Sequence, residues 1–394
     1  MRSTFLGHRV VLVVVAIASL LAACTSGGSL REAVAPKEPA VVTANVKDKA
    51  ADVPVDTLVE VDVEHGTIVE ASLSTEDGAD AIEGEGGESG WTAASRLEPG
   101  TAYTLTAQVR GDDGKDVDLV RTFTTQTLTL DDQTYPSVAP LKGETVGVGM
   151  PVIVTFDIPV KNRELFEENM HVRSTPEVEG SWHWISDSVV HYRPERYWPA
   201  GTKVTVDLDL NSLPAGGGVY GQQDQNIPFT IGKKVVTTVD VAKHTLTMSV
   251  DDEKLRTIPV STGKPGNETR RGTKVIMEKF SSVDMDAATT GVDSSDPDYY
   301  DISDVRWAMR VTNSGEFLHA APWSVGSQGR ENVSHGCVGM STADAKWVYD
   351  RSRRGDVVRF VNSPRSLEDN NGWTDWNVDW SEWTKGSALS PAAS

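Results

Sequence analysis

"VSHGCVGMS", residues 333–341, carries Cys337, and the 394 residues contain only one other cysteine, Cys24. A free thiol is mostly protonated at neutral pH and becomes a nucleophile when a base, a cation or a helix N-terminus draws off its proton. The two nearest histidines upstream are His335, by two residues, and His319, in "EFLHAAPW", by eighteen. His335 is too close along the chain to reach the thiol easily in line, so His319 is the candidate base. Gly336 and Gly339 stand on either side of the thiol, where glycine lets backbone approach a substrate and aim N–H groups at a developing oxyanion. Zinc would need three or four Cys, His or carboxylate ligands. There is no CxxC and no HExxH, so neither metal nor other cofactor is expected. A buried structural cysteine is the alternative reading of an isolated thiol.

The other cysteine ends "MRSTFLGHRVVLVVVAIASLLAAC". Arg2 and Arg9 form a basic region, Val10 to Ala18 an apolar run, and Ala22 and Ala23 a small-residue site before Cys24. This is a secretory signal pattern over 1–24, and no other segment approaches the ~20 apolar residues of a membrane span. "LAAC" also resembles the bacterial lipobox, whose cysteine is acylated; the alternative is an ordinary signal peptide with a cysteine at the cleavage point. Acylation of Cys24 would anchor the chain in the cell membrane on its extracytoplasmic face and leave Cys337 without a disulfide partner. The formal charge of −20 and pI near 4.8 argue against nucleic-acid binding, which needs a basic footprint.

The elements that must position these residues are mainly strands. Residues 25–40 are rich in Ser, Gly and Pro and form a linker. Residues 41–126 alternate in short runs, with "GDDGK" as a hairpin signal, and predict an immunoglobulin-like β-sandwich. Residues 127–233 predict a second sandwich, with Trp182, Trp184, Tyr192 and Tyr197 packing its core and edges. Residues 234–362 hold further strands, a polar stretch from Ser281 to Asp304 that suits a lid, and a short helix capped by Ser341 or Thr342. Arg353 and Arg354 would fill that helix's last turn and Gly355 would follow it. In the tail, 363–394, Trp373, Trp376, Trp380 and Trp383 are spaced to share one face of a helix docked on the preceding domain. A carbohydrate-stacking platform is the functional alternative for those indoles.

"SHGCVGMS", with a histidine eighteen residues upstream, resembles the signature of the L,D-transpeptidase catalytic domain (the YkuD type), and "IPVSTGKPGNETRRGTKVIMEK" resembles that family's entry strand. The resemblance covers 234–362 directly, and the two sandwiches and Trp-rich tail resemble actinobacterial lipoprotein members with two immunoglobulin-like domains. It implies that Cys337 is the nucleophile, with His319 as general base or ion-pair partner. It implies that the main-chain carbonyl of Ala320 orients the imidazole and that the N–H groups of Gly336 and Cys337 form the oxyanion hole. The implied partners are peptidoglycan stem peptides, as donor and acceptor: the thiol attacks the bond between diaminopimelate and D-Ala of a tetrapeptide, and another stem's third residue resolves the thioester. Tyr299 and Tyr300 match the family's lid tyrosine, with a register uncertain by one residue. Ser314 and Gly315 fall where the family contacts the donor backbone, and Ser334 and His335 lie beside the nucleophile. Gly339 stands where close relatives have Asn, so one donor hydrogen bond is missing or passes to the main chain. A wall-binding lipoprotein without catalysis, and a carboxypeptidase trimming the same bond, are the competing readings.

Overall fold

The computed structural model describes residues 37–390 other than Pro297. Cys24 and the signal-like segment lie outside the described residues. Strands dominate, arranged in three successive units that hold two, three and two sheets in chain order. In the first, alternation such as that of Glu60–Glu64 and Ala102–Gly111 turns every second residue inward. Val61, Leu73, Tyr103, Leu105 and Phe123 form its core. The "GDDGK" turn joins Ala102–Gly111 to Asp116–Thr125 as an antiparallel pair. The second unit buries Trp182, Trp184, Tyr192 and Trp198 between sheets built on Val152–Phe156 and Lys203–Leu208.

The third unit pairs a five-stranded sheet, centred on Val235–Asp240, with a four-stranded one. The strands of the latter run in the order Glu278–Asp286, Asp301–Arg310, Phe317–Ala320, Val338–Met340. The polar stretch predicted as a lid is largely a hairpin: its ends pair as Lys279↔Met309 through Asp286↔Asp301, leaving 287–300 as the connection. Exposed strand residues gave no apolar alternation to read there. The helix Thr342–Arg351 is capped by Ser341, whose hydroxyl accepts from the Asp344 N–H. It ends before Arg353, Arg354 and Gly355, contrary to the predicted boundary. Those residues instead serve the junction with the second sandwich, where Gly147 N–H donates to Arg354 O (2.8 Å) and Gly149 N–H to Gly355 O (2.9 Å).

This junction tolerates no side chain at Gly147, because a Cβ there would lie 2.2 Å from the Asp356 nitrogen. Overpacking of this kind costs about 1–3 kcal/mol. Gly147→Ala is therefore expected to lower the thermal midpoint in a circular-dichroism melt and to open the 233–235 connection to protease.

The tail also departs from expectation. Among its described residues the only α-helical turn is Trp380–Trp383, flanked by 3-10 turns at Asp375–Asn377 and Thr384–Gly386. Its first half runs on the third unit, where the Asn377 side chain exchanges two hydrogen bonds with Thr273. Trp373 lies 5.2 Å from the Arg354 guanidinium, and the other three indoles converge on Arg193 of the second sandwich. The Arg193 guanidinium lies 4.9, 5.4 and 4.5 Å from the rings of Trp376, Trp380 and Trp383 and donates to Val378 O. Trp383 is buried against His183 and Ser181. Trp376, Trp380 and Trp383 thus clamp a buried cation and strap the second and third units together, instead of all four indoles lining one face of a continuous helix.

Candidate active site

The site forms where two neighbouring strands run in parallel, Phe317–Ala320 and Val338–Met340, in the register Leu318↔Val338 and His319↔Gly339. Cys337 immediately precedes the second strand, and strand alternation puts it on the same side as Gly339 and its neighbour His319. Residues eighteen apart in sequence thus face one cavity of about 260 Å³. Its walls also include Tyr300, Trp323, Ser334 and His335.

The hydrogen bonds assign the histidine's tautomer. Nδ1 of His319 lies 2.8 Å from the Ala320 carbonyl, an acceptor, so Nδ1 carries the proton and Nε2 keeps its lone pair. Burial holds this imidazole below its usual pKa, although the Ala320 carbonyl works against that shift. The Trp323 ring stacks on it at 5.9 Å. Burial also pushes the Cys337 thiol up to about 12, opposed by the Phe317 N–H, which favours the thiolate, and by Lys274 and Arg310; Glu316 adds to the rise. The thiol donates to Gly315 O at 3.5 Å. Both shifts favour a neutral thiol beside a neutral imidazole at rest. That arrangement suits a base that removes the proton during attack better than a preformed ion pair.

Gly336 adopts φ +127°, a conformation that favours glycine. Its N–H donates to Ser334 Oγ (3.1 Å), and that hydroxyl donates to Cys337 O (2.7 Å), so the turn is closed on itself. Thr269 Oγ1 holds the Gly336 carbonyl from the far side at 2.6 Å. The Gly336 N–H assigned to the oxyanion hole is therefore occupied, and it reaches a substrate oxygen only if it exchanges Ser334 for it.

Tyr300 lines the cavity and stacks on His335 at 5.1 Å, whereas Tyr299 turns to Asp286. His335 Nε2 meets Lys264 Nζ at 3.1 Å and Asp298 at 3.6 Å. Ser314 is not brought to the cavity. Its N–H and hydroxyl are both engaged by the Asn371 side chain from the tail, while Gly315 supplies the carbonyl that faces the thiol. Gly339 lines the cavity, but its N–H and C=O are both spent on Ser261 (2.8 and 3.0 Å). No main-chain contact to a donor is left there to replace a missing side chain.

Several residues at the site were not singled out from the sequence. Trp323 follows His319 by four residues, through Pro322 and a single 3-10 turn, and that short aromatic offset was a readable signal. Ser261 reaches the cavity from an isolated bridge to Gly339, and Met285 and Ile302 from the hairpin strands, segments for which local spacing carries no signal.

A model of the L,D-transpeptidase catalytic domain (YkuD) matches residues 234–360, and one of a bacterial Ig domain matches residues 50–214. L,D-transpeptidase 2 of Mycobacterium tuberculosis is 35% identical over 350 residues, covering 88% of this chain and 85% of that protein. The chain belongs to the L,D-transpeptidase family. L,D-transpeptidase 5 of the same species is 37% identical over 322 residues, covering 77% of this chain and 67% of the relative. The solved structure of the LD transpeptidase LdtMt1 in complex with imipenem is 37% identical and superposes with a TM-score of 0.51, over 57% of this chain and 97% of that one. This L,D-transpeptidase is an acyl-transferring enzyme that cross-links peptidoglycan. Its His319, Cys337 and their cavity all fall within the matched catalytic domain.

Proposed function

We propose that Cys337 attacks the carbonyl between the third residue of a tetrapeptide stem, diaminopimelate, and its terminal D-Ala. The observation that carries this reading is the juxtaposition of Cys337 and His319 on adjacent parallel strands facing one cavity, with Nδ1 committed to Ala320 O. Nε2 of His319 takes the thiol proton as the sulfur–carbon bond forms and returns it to the departing D-Ala amine. The product is a thioester on Cys337. The side-chain amine of another stem's third residue then attacks it, its proton passing to Nε2, and the free thiol is regenerated with a third-to-third-residue cross-link. Tyr300, stacked on His335, closes one wall of the cavity and limits the access of water to the thioester.

Incubation of the protein with a disaccharide-tetrapeptide is expected to yield a cross-linked dimer and free D-Ala, resolved by mass. A tripeptide monomer alone would favour the carboxypeptidase reading. A carbapenem is expected to acylate Cys337, since the imipenem complex of a relative and the thiol's position in the cavity both support it. An unmodified protein mass after prolonged incubation would count against a reactive thiol.

Anchoring is part of the same proposal: the signal-like segment and Cys24 would place the enzyme on the outer face of the cell membrane, with the two sandwiches carrying the site toward the wall. Loss of the protein from the membrane fraction in Cys24→Ala cells supports this, and unchanged membrane retention contradicts it.

A further inference from the structure

Glu316 and Lys274 are 3% and 1% exposed, and no step of the reaction above uses them. The Glu316 carboxylate accepts from Lys274 Nζ, from Arg270 Nη1 (3.1 Å) and from the Arg270 backbone N–H (3.0 Å). Its own N–H donates to Thr312 Oγ1 at 2.9 Å, so both its backbone and its side chain are fixed. What lies on either side of it gives this fixation a consequence. Gly315 presents the carbonyl that accepts the thiol's hydrogen bond, and Phe317 presents the N–H that favours the thiolate. On the other wall, Thr269, the residue before Arg270, holds the Gly336 carbonyl. One segment, Thr269–Arg270, therefore grips both the nucleophile turn and the strand facing it.

A buried ion pair contributes little net stability compared with apolar residues of similar size, yet breaking one partner leaves an expensive lone charge. That balance makes Lys274–Glu316 a poor device for stability alone. We propose that Glu316, clamped by Lys274 and Arg270, is a positioning residue that holds the Gly315 carbonyl and Phe317 N–H against the Cys337 sulfur and so sets the reactivity of the nucleophile. It acts through the main chain and through opposed charges, and it touches no substrate.

The groups that face the sulfur are Glu316 and Lys274 from behind, Arg310 on the neighbouring strand, and Tyr300, His319 and His335 around the cavity. Glu316→Gln leaves the Lys274 cation without its carboxylate near the thiol, and Lys274→Met leaves the carboxylate with Arg270 as its one cationic partner. The inference rests on Cys337 being the nucleophile proposed above.

The test measures the rate of Cys337 alkylation by iodoacetamide against pH, beside steady-state cross-linking of the disaccharide-tetrapeptide. The alkylation profile is expected to move to lower pH in Glu316→Gln and to higher pH in Lys274→Met. In both, kcat should fall by about tenfold or more, with KM within about twofold, as for a displaced reacting group. If either single variant fails to fold, the double variant Lys274→Met/Glu316→Gln removes both charges together. It is expected to fold, to show a profile close to wild type and still to lose kcat. Profiles that do not move, or that move the same way, with kcat per folded molecule unchanged, would overturn the inference. A wild-type protein that alkylates but forms no dimer would instead overturn the proposed reaction and leave the positioning result standing.

Discussion

Cys337→Ala is expected to fold as the wild type does and to form no detectable cross-linked dimer, a loss on the order of 10⁴-fold or more. The side chain is small and sits at the edge of an apolar cluster with Val305, Ala308 and Phe317, so removing the sulfur leaves a cavity of one atom and a minor stability cost. The sheet register that places the residue depends on main-chain pairing from Leu318↔Val338 onward, which the substitution does not touch. Activity and stability should therefore separate: a thermal midpoint within a few degrees of wild type, with no product. A variant that turned over the tetrapeptide as fast as wild type would remove the nucleophile from the account. Cys337→Ser would hold the geometry with a far weaker nucleophile at neutral pH, and it is expected to bind stem peptide without releasing D-Ala.

The second large effect concerns His319. Removing the base by His319→Ala is expected to lower kcat by about 10²–10⁴-fold while KM changes little. The pH dependence gives the sharper signature. Burial depresses the folded-state pKa of this imidazole, so the neutral base persists below the ordinary imidazole value of 6.5 and is lost only as pH falls through the depressed value. The acid limb of kcat/KM in the wild type is thus expected to lie below pH 6.5 and to vanish in His319→Ala. The same sign governs stability: the contribution from keeping His319 neutral is present above pH 6.5 and is lost as the pH drops through the folded value. Alkylation of the free enzyme follows the other partner. With the thiol raised to about 12, its rate should climb through the alkaline range, in contrast to a preformed thiolate, whose rate would level off near neutrality. A plateau in alkylation between pH 6 and 8 would contradict a neutral resting pair.

The sequence was most readable where chemistry and local spacing coincide. An unpaired cysteine between glycines, with a histidine one crossover earlier, exposed the reacting pair, because a parallel strand pair brings such residues to one face. Alternating strands likewise disclosed the successive strand-built units. The misses have a common cause in contacts between distant segments. Ser314 directly precedes Gly315, whose carbonyl meets the thiol, but a tail asparagine fifty-seven residues away captures it. Glu316 looks like an ordinary strand carboxylate until Lys274 and Arg270 arrive from another sheet and an adjoining loop. The tail tryptophans do have helical spacing. The extended backbone at Val378 breaks the helix, and the gain from surrounding Arg193 with indoles outweighs local propensity. Gly339 is a subtler case: its main chain was a candidate donor until the pairing with Ser261 accounted for both of its polar groups.

The central claim is that acyl transfer passes through a thioester on Cys337. The most direct measurement is the intact mass of the protein, quenched in acid during turnover of a disaccharide-tetrapeptide, followed by peptide mapping of the modified residue. The account predicts an adduct equal to the tetrapeptide stem less D-Ala, located on the peptide containing Cys337, discharged by added acceptor amine and absent from Cys337→Ala. An adduct on any other residue, or dimer formation from Cys337→Ala at the wild-type rate, would contradict it.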